Sequence, residues 1–219
     1  AAVAMGTLFP TREDAGRRLA QRLAAHRGRD VVVLALPRGG VPVGAEIARA
    51  LGAPLDLLFV RKIGLPWQPE LAYAAVVDGQ PPEVVVNDEV ARSDPLSRAE
   101  FERATRAEIA EIVRRRSLYR AGRAPLDVAG RIAIVVDDGL ATGTTARAAL
   151  QALRRRGPAS LVLAVPVAPA DTVRQIAPLV DELVCLATPQ PFRAIGPYYA
   201  DFHQLEDEEV LATLATLGP

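Results

Sequence analysis

The chain has 219 residues, half of them hydrophobic, and 26 basic side chains balance 26 acidic ones to a formal net charge of zero. That is enough apolar material for one sizeable core, and the neutral balance provides no overall field for a nucleic acid or an anionic membrane surface. A lone cysteine, Cys185, excludes an internal disulfide framework and a cysteine-based zinc cluster, and no apolar run approaches the roughly 18 residues of a membrane span.

These exclusions predict a single cytoplasmic domain over residues 7–219, with its core at about 30–190. The opening AAVAMG, which holds the only methionine at position 5, reads as a remnant outside that domain, and no signal-peptide pattern is present. Residues 11–28 (TREDAGRRLAQRLAAHRG) place Ala15, Leu19 and Leu23 on one helical face, with Thr11 to cap and Gly28 to stop. DVVVLAL (30–36) is a continuous β-branched run, too short for a helix and typical of a strand buried on both faces. VPVGAEIARAL (41–51) returns to helical spacing and PLDLLFV (54–60) predicts a second buried strand. Residues 30–60 therefore read as a right-handed parallel crossover.

Pro66, Pro69, Pro81 and Pro82 then interrupt short apolar stretches, which predicts a loop and a small antiparallel excursion over 62–90. Residues 95–121 predict a long charged helix, opened by Ser97 and Glu100 at capping-box spacing. Its apolar stripe is thin: Phe101, Ala104, Ile109, Ile112 and Val113. The cluster Arg114, Arg115, Arg116 and Arg120 reads as a solvated face beside Glu108 and Glu111, the alternative being a phosphate or nucleic-acid patch. Alternation resumes with a strand at 132–136, a helix at about 144–156, a strand at 160–167, a short helix near 170–178 and a strand at 182–187. Cys185 in that last strand reads as a buried structural thiol rather than a nucleophile. The sum is an α/β fold of three layers around a mainly parallel central sheet, with an antiparallel excursion, a long inserted helix, and a C-terminal loop and helix over 188–219.

In an open parallel sheet, ligands bind beyond the carboxyl ends of the strands. The unusual residues of this chain fall there: Pro37-Arg38-Gly39-Gly40 after the first strand, Arg61 and Lys62 after the second, 137–145 after the third, and 188–202 after the last. In VVDDGLATGTT (135–145), Gly139 and Gly143 let backbone N–H groups converge on one anion at a helix start, while Thr142, Thr144 and Thr145 add hydroxyls. The loop holds no lysine and no G-x-G-x-x-G, so it is neither a triphosphate P-loop nor a dinucleotide fingerprint; a single phosphomonoester suits it better. Asp137 and Asp138 accept hydrogen bonds, and they match vicinal sugar hydroxyls or a hydrated Mg²⁺. Capping of the following turn accounts for one of them but not both. A ligand with a phosphate at one end and a cis-diol nearby is a ribose 5-phosphate.

These residues resemble the phosphoribosyl-diphosphate (PRPP) motif of the type I phosphoribosyltransferases. The resemblance covers roughly residues 30–190. Within that family it extends to a group carrying P-R-G-G (37–40), V-R-K-[IV]-G (60–64), D-D-G-x-A-T-G (137–143) and a late F…YY.DF segment (192–202). It implies that Asp137 and Asp138 bind the ribose hydroxyls and favour a positively charged ribosyl ring. It implies further that Gly139, Leu140, Ala141, Thr142, Gly143, Thr144 and Thr145 hold the 5′-phosphate, and that Arg38, Gly39, Gly40, Arg61 and Lys62 meet the pyrophosphate. Asp137, Asp138, Arg38 and Lys62 are the implied catalytic set. Mg²⁺ is the implied cofactor, held mainly by PRPP and pyrophosphate with no dedicated protein ligands.

Residues 63–73 sit where such enzymes have a flexible lid, with Trp67 its large aromatic and Glu70 either a capping carboxylate or a proton-transfer group. Phe192, Tyr198 and Tyr199 read equally as stacking faces for a planar acceptor and as anchors of a proline-rich loop. Ala141 stands where hypoxanthine-guanine type enzymes carry an aspartate near the purine N7, so the usual handling of a 6-oxopurine is not implied. His26 and His203 have no metal partner at a useful spacing. The expected activity is transfer of phosphoribosyl from Mg²⁺-PRPP to a nitrogenous acceptor, such as a nucleobase in salvage, with release of pyrophosphate. The alternative is a non-catalytic sensor of PRPP or nucleotide with the same fold. No membrane or nucleic-acid partner is expected, and self-association is left open.

Overall fold

The computed structural model describes residues 6–120 and 122–218, so the readings made of the leader's first five residues and of the Glu70 side chain lie outside it. Thr11 caps the first helix, α1 (Arg12–Arg22), by accepting the Asp14 N–H at 3.1 Å. Five strands then build the central sheet: β1 (Val31–Ala35), β2 (Leu55–Leu57), β6 (Ile132–Val136), β7 (Ser160–Val167) and β8 (Glu182–Ala187). Their order is β2-β1-β6-β7-β8 and every pairing is parallel. β1 and β6 run in register from Val31 opposite Ile132 to Ala35 opposite Val136, so the chain leaves both strands at the same level.

Alternate side chains of these strands feed two cores, as a two-sided buried sheet requires. Val31, Val33, Ile132, Ile134 and Val136 pack with Leu19, Val43 and Ile47 of α1 and α2 (Gly40–Leu51). Val32, Leu34, Ala133 and Val135 pack with Ala149, Leu150 and Leu153 of α5 (Thr144–Arg155). The three layers follow from that alternation. The short helix near 170–178 forms as α6 (Ala170–Ile176).

The second sheet departs from the expected strand at 54–60. That run divides: β2 ends at Leu57, and β3 (Val60–Leu65) opens an antiparallel sheet with β4 (Gln68–Val77) and β5 (Glu83–Val86). Leu58 and Phe59 between them are both buried, one in the central core and one under the second sheet. A continuous apolar run conceals the break because both sides of it are interior. Arg61 and Lys62 accordingly lie inside β3, not in a loop after β2, and residues 63–73 form the β3–β4 hairpin with Trp67 exposed at its turn.

After the short α3 (Asp88–Ser93), the long helix α4 (Arg98–Arg120) starts on the expected capping box: Ser97 N–H donates to Glu100 at 2.9 Å, and Glu100 N–H donates to the Ser97 hydroxyl at 3.1 Å. Its arginine cluster splits between solvent and interior. Arg114 and Arg115 hold Glu111 on the surface. Arg116 and Arg120 instead turn inward to Asp78 and Asp56, and Arg120 is buried with its Nη2 donating to the Leu57 carbonyl at 2.9 Å. The helix docks by packing Phe101, Ala104, Ile109, Ile112 and Tyr119 into the core under the second sheet, with these ion pairs added near its C-terminal end, while Val113 of the expected stripe is exposed. A final helix, α7 (Asp207–Ala215), closes the chain. Cys185 is half-buried and donates to the Ala187 carbonyl, and burial raises its thiol pKa, which suits a structural thiol. No helix among the described residues is long and apolar enough to cross a membrane.

Candidate active site

The loop after β1 is pressed against the end of β6. Leu36 N–H donates to the Val136 carbonyl at 3.0 Å, and α2 begins only three residues after Pro37. A Cβ on Gly40 would come within 2.6 Å of the Val136 carbonyl oxygen, and the space a Cβ on Gly39 would need is already filled by the Asp138 carboxylate. Both glycines are thus explained by close approach of two strand ends, a stronger demand than turning freedom alone. The Pro37–Arg38 peptide between them and the strand is cis.

The loop after β6 is built differently. Leu140 is buried and donates its N–H to the Val167 carbonyl at 2.9 Å, which pins the loop's centre. Gly143, at φ 75°, turns the chain into α5. The first bond of that helix runs from Arg147 N–H to the Gly143 carbonyl at 2.8 Å, so the N–H groups of Thr144, Thr145 and Ala146 have no acceptor within the helix. The hydroxyls of Thr142 and Thr144 lie 3.1 Å apart beside them, and Thr172 steadies the loop by donating to the Ala141 carbonyl at 3.0 Å. N–H groups and hydroxyls gathered at a helix start form a ready anion cradle.

The two aspartates at its entrance are not equivalent. Asp138 is buried and paired with Arg12, whose Nε donates to Oδ2 at 3.1 Å. Asp137 is half-buried and accepts the Asp138 N–H at 2.8 Å. Burial, and then the Asp138 charge beside it, push the Asp137 carboxyl well above the usual range; burial also raises Asp138, but the Arg12 guanidinium opposes it. Carboxyl groups perturbed by burial and by a specific charged partner in this way cluster at functional sites.

Arg12 is not recognisable as a site residue from its position in the sequence. It is buried, its Nη1 donates to the His203 carbonyl at 3.0 Å, and its guanidinium lies 4.1 Å from the Phe202 ring centroid. One signal is available: a cation in the first turn of a helix opposes the helix dipole, so it needs a specific partner elsewhere. The sequence offers Tyr199 as a base-stacking candidate, but its hydroxyl donates to the Asp138 carbonyl oxygen at 2.6 Å, and its ring is buried with Phe9, Ala15, Val167 and Tyr198. Tyr198 and Tyr199 therefore anchor the 188–202 loop instead of presenting ring faces, since that loop crosses the end of β7 and needs a core of its own. Phe192 is half-buried against Tyr198, with ring centroids 5.3 Å apart.

Arg38 is anchored by the C-terminal segment. Its Nε donates to the Tyr119 hydroxyl at 3.3 Å and its Nη1 to the Leu205 carbonyl at 3.2 Å, with Asp207 3.4 Å away. Arg12, Arg38, Gly39 and Asp138 line one cavity of about 450 Å³, together with Arg115 of α4 and the strap 202–205. Arg61 and Lys62 are not among its walls. Arg61 is held by Glu108 at 2.7 Å, and Lys62 is exposed. His26 contacts Glu182, and His203 sits between Asp201 and Glu209. His26 does not line this cavity, and His203 lines it with both ring nitrogens already engaged.

Known proteins resemble the chain over most of its length. Residues 8–201 match the family model described as the phosphoribosyl transferase domain. Two Mycobacterium tuberculosis proteins, from strains CDC 1551 and H37Rv and provisionally named phosphoribosyl transferases, are each 51% identical over 207 residues, covering 94% of this chain and 46% of theirs. The chain thus spans about half the length of the curated relatives it matches. The crystal structure of TT1426 from Thermus thermophilus is similar over 96% of this chain and 99% of that one, at 40% identity and a TM-score of 0.83. With the parallel sheet, the acid-tipped glycine loop and the arginine-glycine loop in place, the chain belongs to the phosphoribosyl transferase domain family, a family of pentosyltransferases.

Proposed function

We propose that the chain transfers the 5-phosphoribosyl group of PRPP to a nitrogenous acceptor and releases pyrophosphate. The observation that carries this reading is the adjacency of three features at the carboxyl ends of β1 and β6: the anion cradle of 139–145, the aspartate pair before it, and the Arg38–Gly40 loop against it. In this reading the head of α5, with Thr142, Thr144 and Thr145, holds the 5′-phosphate, and Asp137 and Asp138 accept from the ribose hydroxyls. Asp138 enters that role already oriented by Arg12 and Tyr199. As the C1–O bond breaks, pyrophosphate departs with its electron pair. The acceptor nitrogen then forms the C1–N bond and gives up its proton to solvent. The aspartates face the positive charge that develops on the ribosyl ring, while Arg38 and the Gly39–Gly40 backbone face the departing oxygens.

Mg²⁺ suits this reading, because it prefers one or two carboxylates with phosphate oxygens and water: PRPP would hold it, with the half-buried Asp137 as the carboxylate at hand. Neutralising charge on the pyrophosphate is the chemistry it supplies when bound. Lys62, exposed on β3, is placed in this reading as a further cation for the leaving group. The acceptor is a nucleobase-like compound, with Ala141 exposed where an aspartate would mark the usual 6-oxopurine site.

The test is calorimetry with Mg²⁺-PRPP, followed by incubation with a panel of nucleobases while pyrophosphate release is recorded. Binding of PRPP and release with one base are expected. Absence of PRPP binding sinks the reading, whereas tight binding with no release from any base points to the sensor alternative.

A further inference from the structure

The cavity beside Gly39 contains a cation that no reading of the loops supplies. Arg115 comes from α4, in the arginine cluster that reads in the sequence as a solvated face with a phosphate patch as the alternative. It lines the cavity with Arg12, Arg38 and Asp138. The three arginines are held in similar ways. Arg12 uses Nε and Nη1 on Asp138 and the His203 carbonyl, and Arg38 uses Nε and Nη1 on Tyr119 and the Leu205 carbonyl. Arg115 uses Nε on Glu111 at 2.9 Å. Among the described residues, the Nη2 group of each has no hydrogen-bond partner. Each fork is therefore immobilised at one end and still carries donors at the other, which reduces the ordering cost of gripping an anion.

The walls also indicate the class of ligand. The Phe202 ring is already engaged by the Arg12 guanidinium and stacks with Tyr199 at 5.1 Å between centroids, and both His203 ring nitrogens are taken by Asp201 and Glu209. A planar base would find little open ring face here. Three guanidinium groups stand against one carboxylate, and that carboxylate is already paired. Asp207 behind Arg38, and Glu111 behind Arg115, fix those forks from outside the lining. The chamber suits a compact polyanion with several oxygens.

We infer that Arg115 binds the diphosphate leaving group, completing a three-arginine chamber with Arg12 and Arg38. This inference rests on the phosphoribosyl-transfer reading above. It makes the inserted helix part of the active site: α4 supplies a third cation to this cavity, which Arg61 does not line. Arg115 is only half-buried, with its side chain 25% exposed, so its removal spares the core.

The experiment titrates wild-type protein and the variants Arg115→Gln, Arg115→Lys and Arg114→Gln with inorganic pyrophosphate in Mg²⁺, and separately with ribose 5-phosphate. Arg114 bonds the same Glu111 but lies outside the cavity, so its variant controls for the lost charge. Loss of a charge-assisted pair is expected to weaken pyrophosphate binding about ten- to a hundredfold in Arg115→Gln, with partial recovery in Arg115→Lys. Ribose 5-phosphate binding, and all binding by Arg114→Gln, should be unchanged. Unaltered pyrophosphate affinity in Arg115→Gln, or equal losses in Arg114→Gln or for ribose 5-phosphate, overturns the inference while leaving the proposed function standing. A wild-type protein that binds neither probe overturns both.

Discussion

The chain leaves β1 and β6 at the same level, each after five buried residues, and each exit leads to a helix of twelve residues. Beyond that likeness the two exits are constrained by different neighbours. After β1, Gly39 and Gly40 are fixed by what lies behind them: the Asp138 carboxylate and the Val136 carbonyl occupy the volume of any side chain. After β6, Gly143 is fixed by its own conformation, with φ at 75°, and the loop turns its polar groups outward. The first exit is a packing surface that carries one arginine; the second is a cradle. Two glycine-rich loops that look alike on paper therefore differ in what a substitution would break.

The largest effect should come from the packed exit. Gly39→Ala drives a methyl into Asp138, which Arg12 holds in place, so the substitution either displaces a buried ion pair or overpacks the loop. A loss of about 3 kcal/mol in urea unfolding is expected. Tolerance at a cost below about 1 kcal/mol would show that the two loops are not in contact in solution. Gly143→Ala should cost less, about 2 kcal/mol. It adds a left-handed backbone penalty, and its methyl would meet the methyl groups of Ile176 and Thr172, at 2.7 and 2.8 Å, instead of a carboxylate held in an ion pair. If Gly143→Ala proves the more damaging of the two, the contrast between the exits is reversed.

The gentlest prediction concerns the aspartate pair. Burial and Asp138 raise the Asp137 carboxyl above its ordinary value of 3.8, so the folded protein holds that proton more tightly than the unfolded chain does. Native Asp137 therefore costs stability as pH rises from 3.8 through its higher folded pKa, and Asp137→Asn escapes that cost. The melting temperature of Asp137→Asn minus that of wild type should grow as the pH rises above the ordinary carboxyl value of 3.8. A flat difference would mean that Asp137 is solvated in the free protein. A functional carboxylate held at the expense of stability is what a binding site for a diol and a cation would require.

Much of the cradle is legible in the residues because its information is local. A strand, two acids, glycines at 139 and 143 and hydroxyls at 142, 144 and 145 define a turn into a helix whatever else surrounds them. The strand-helix alternation is equally legible, since periodicity and run length report burial directly. The second sheet is harder. PLDLLFV divides at Leu58 and Phe59 because two different cores meet there, and an apolar run records burial but not which core buries it. The tyrosines stay open in the sequence for a related reason, as an aromatic in a proline-rich loop has the same composition whether it anchors the loop or faces a ligand.

The sequence by itself determined the layer architecture, the family and the order of acid before glycine, all properties written within a few consecutive residues. Tertiary structure alone decided the rest: that Arg12 crosses to Asp138, that Gly39 exists for the sake of a carboxylate on a distant part of the chain, and that Arg115 enters the cavity while Arg61 does not. A charged side chain's sequence neighbours define its helix face, but its partner is chosen by where the elements pack. Buried charges are retained only where that packing supplies a counter-charge.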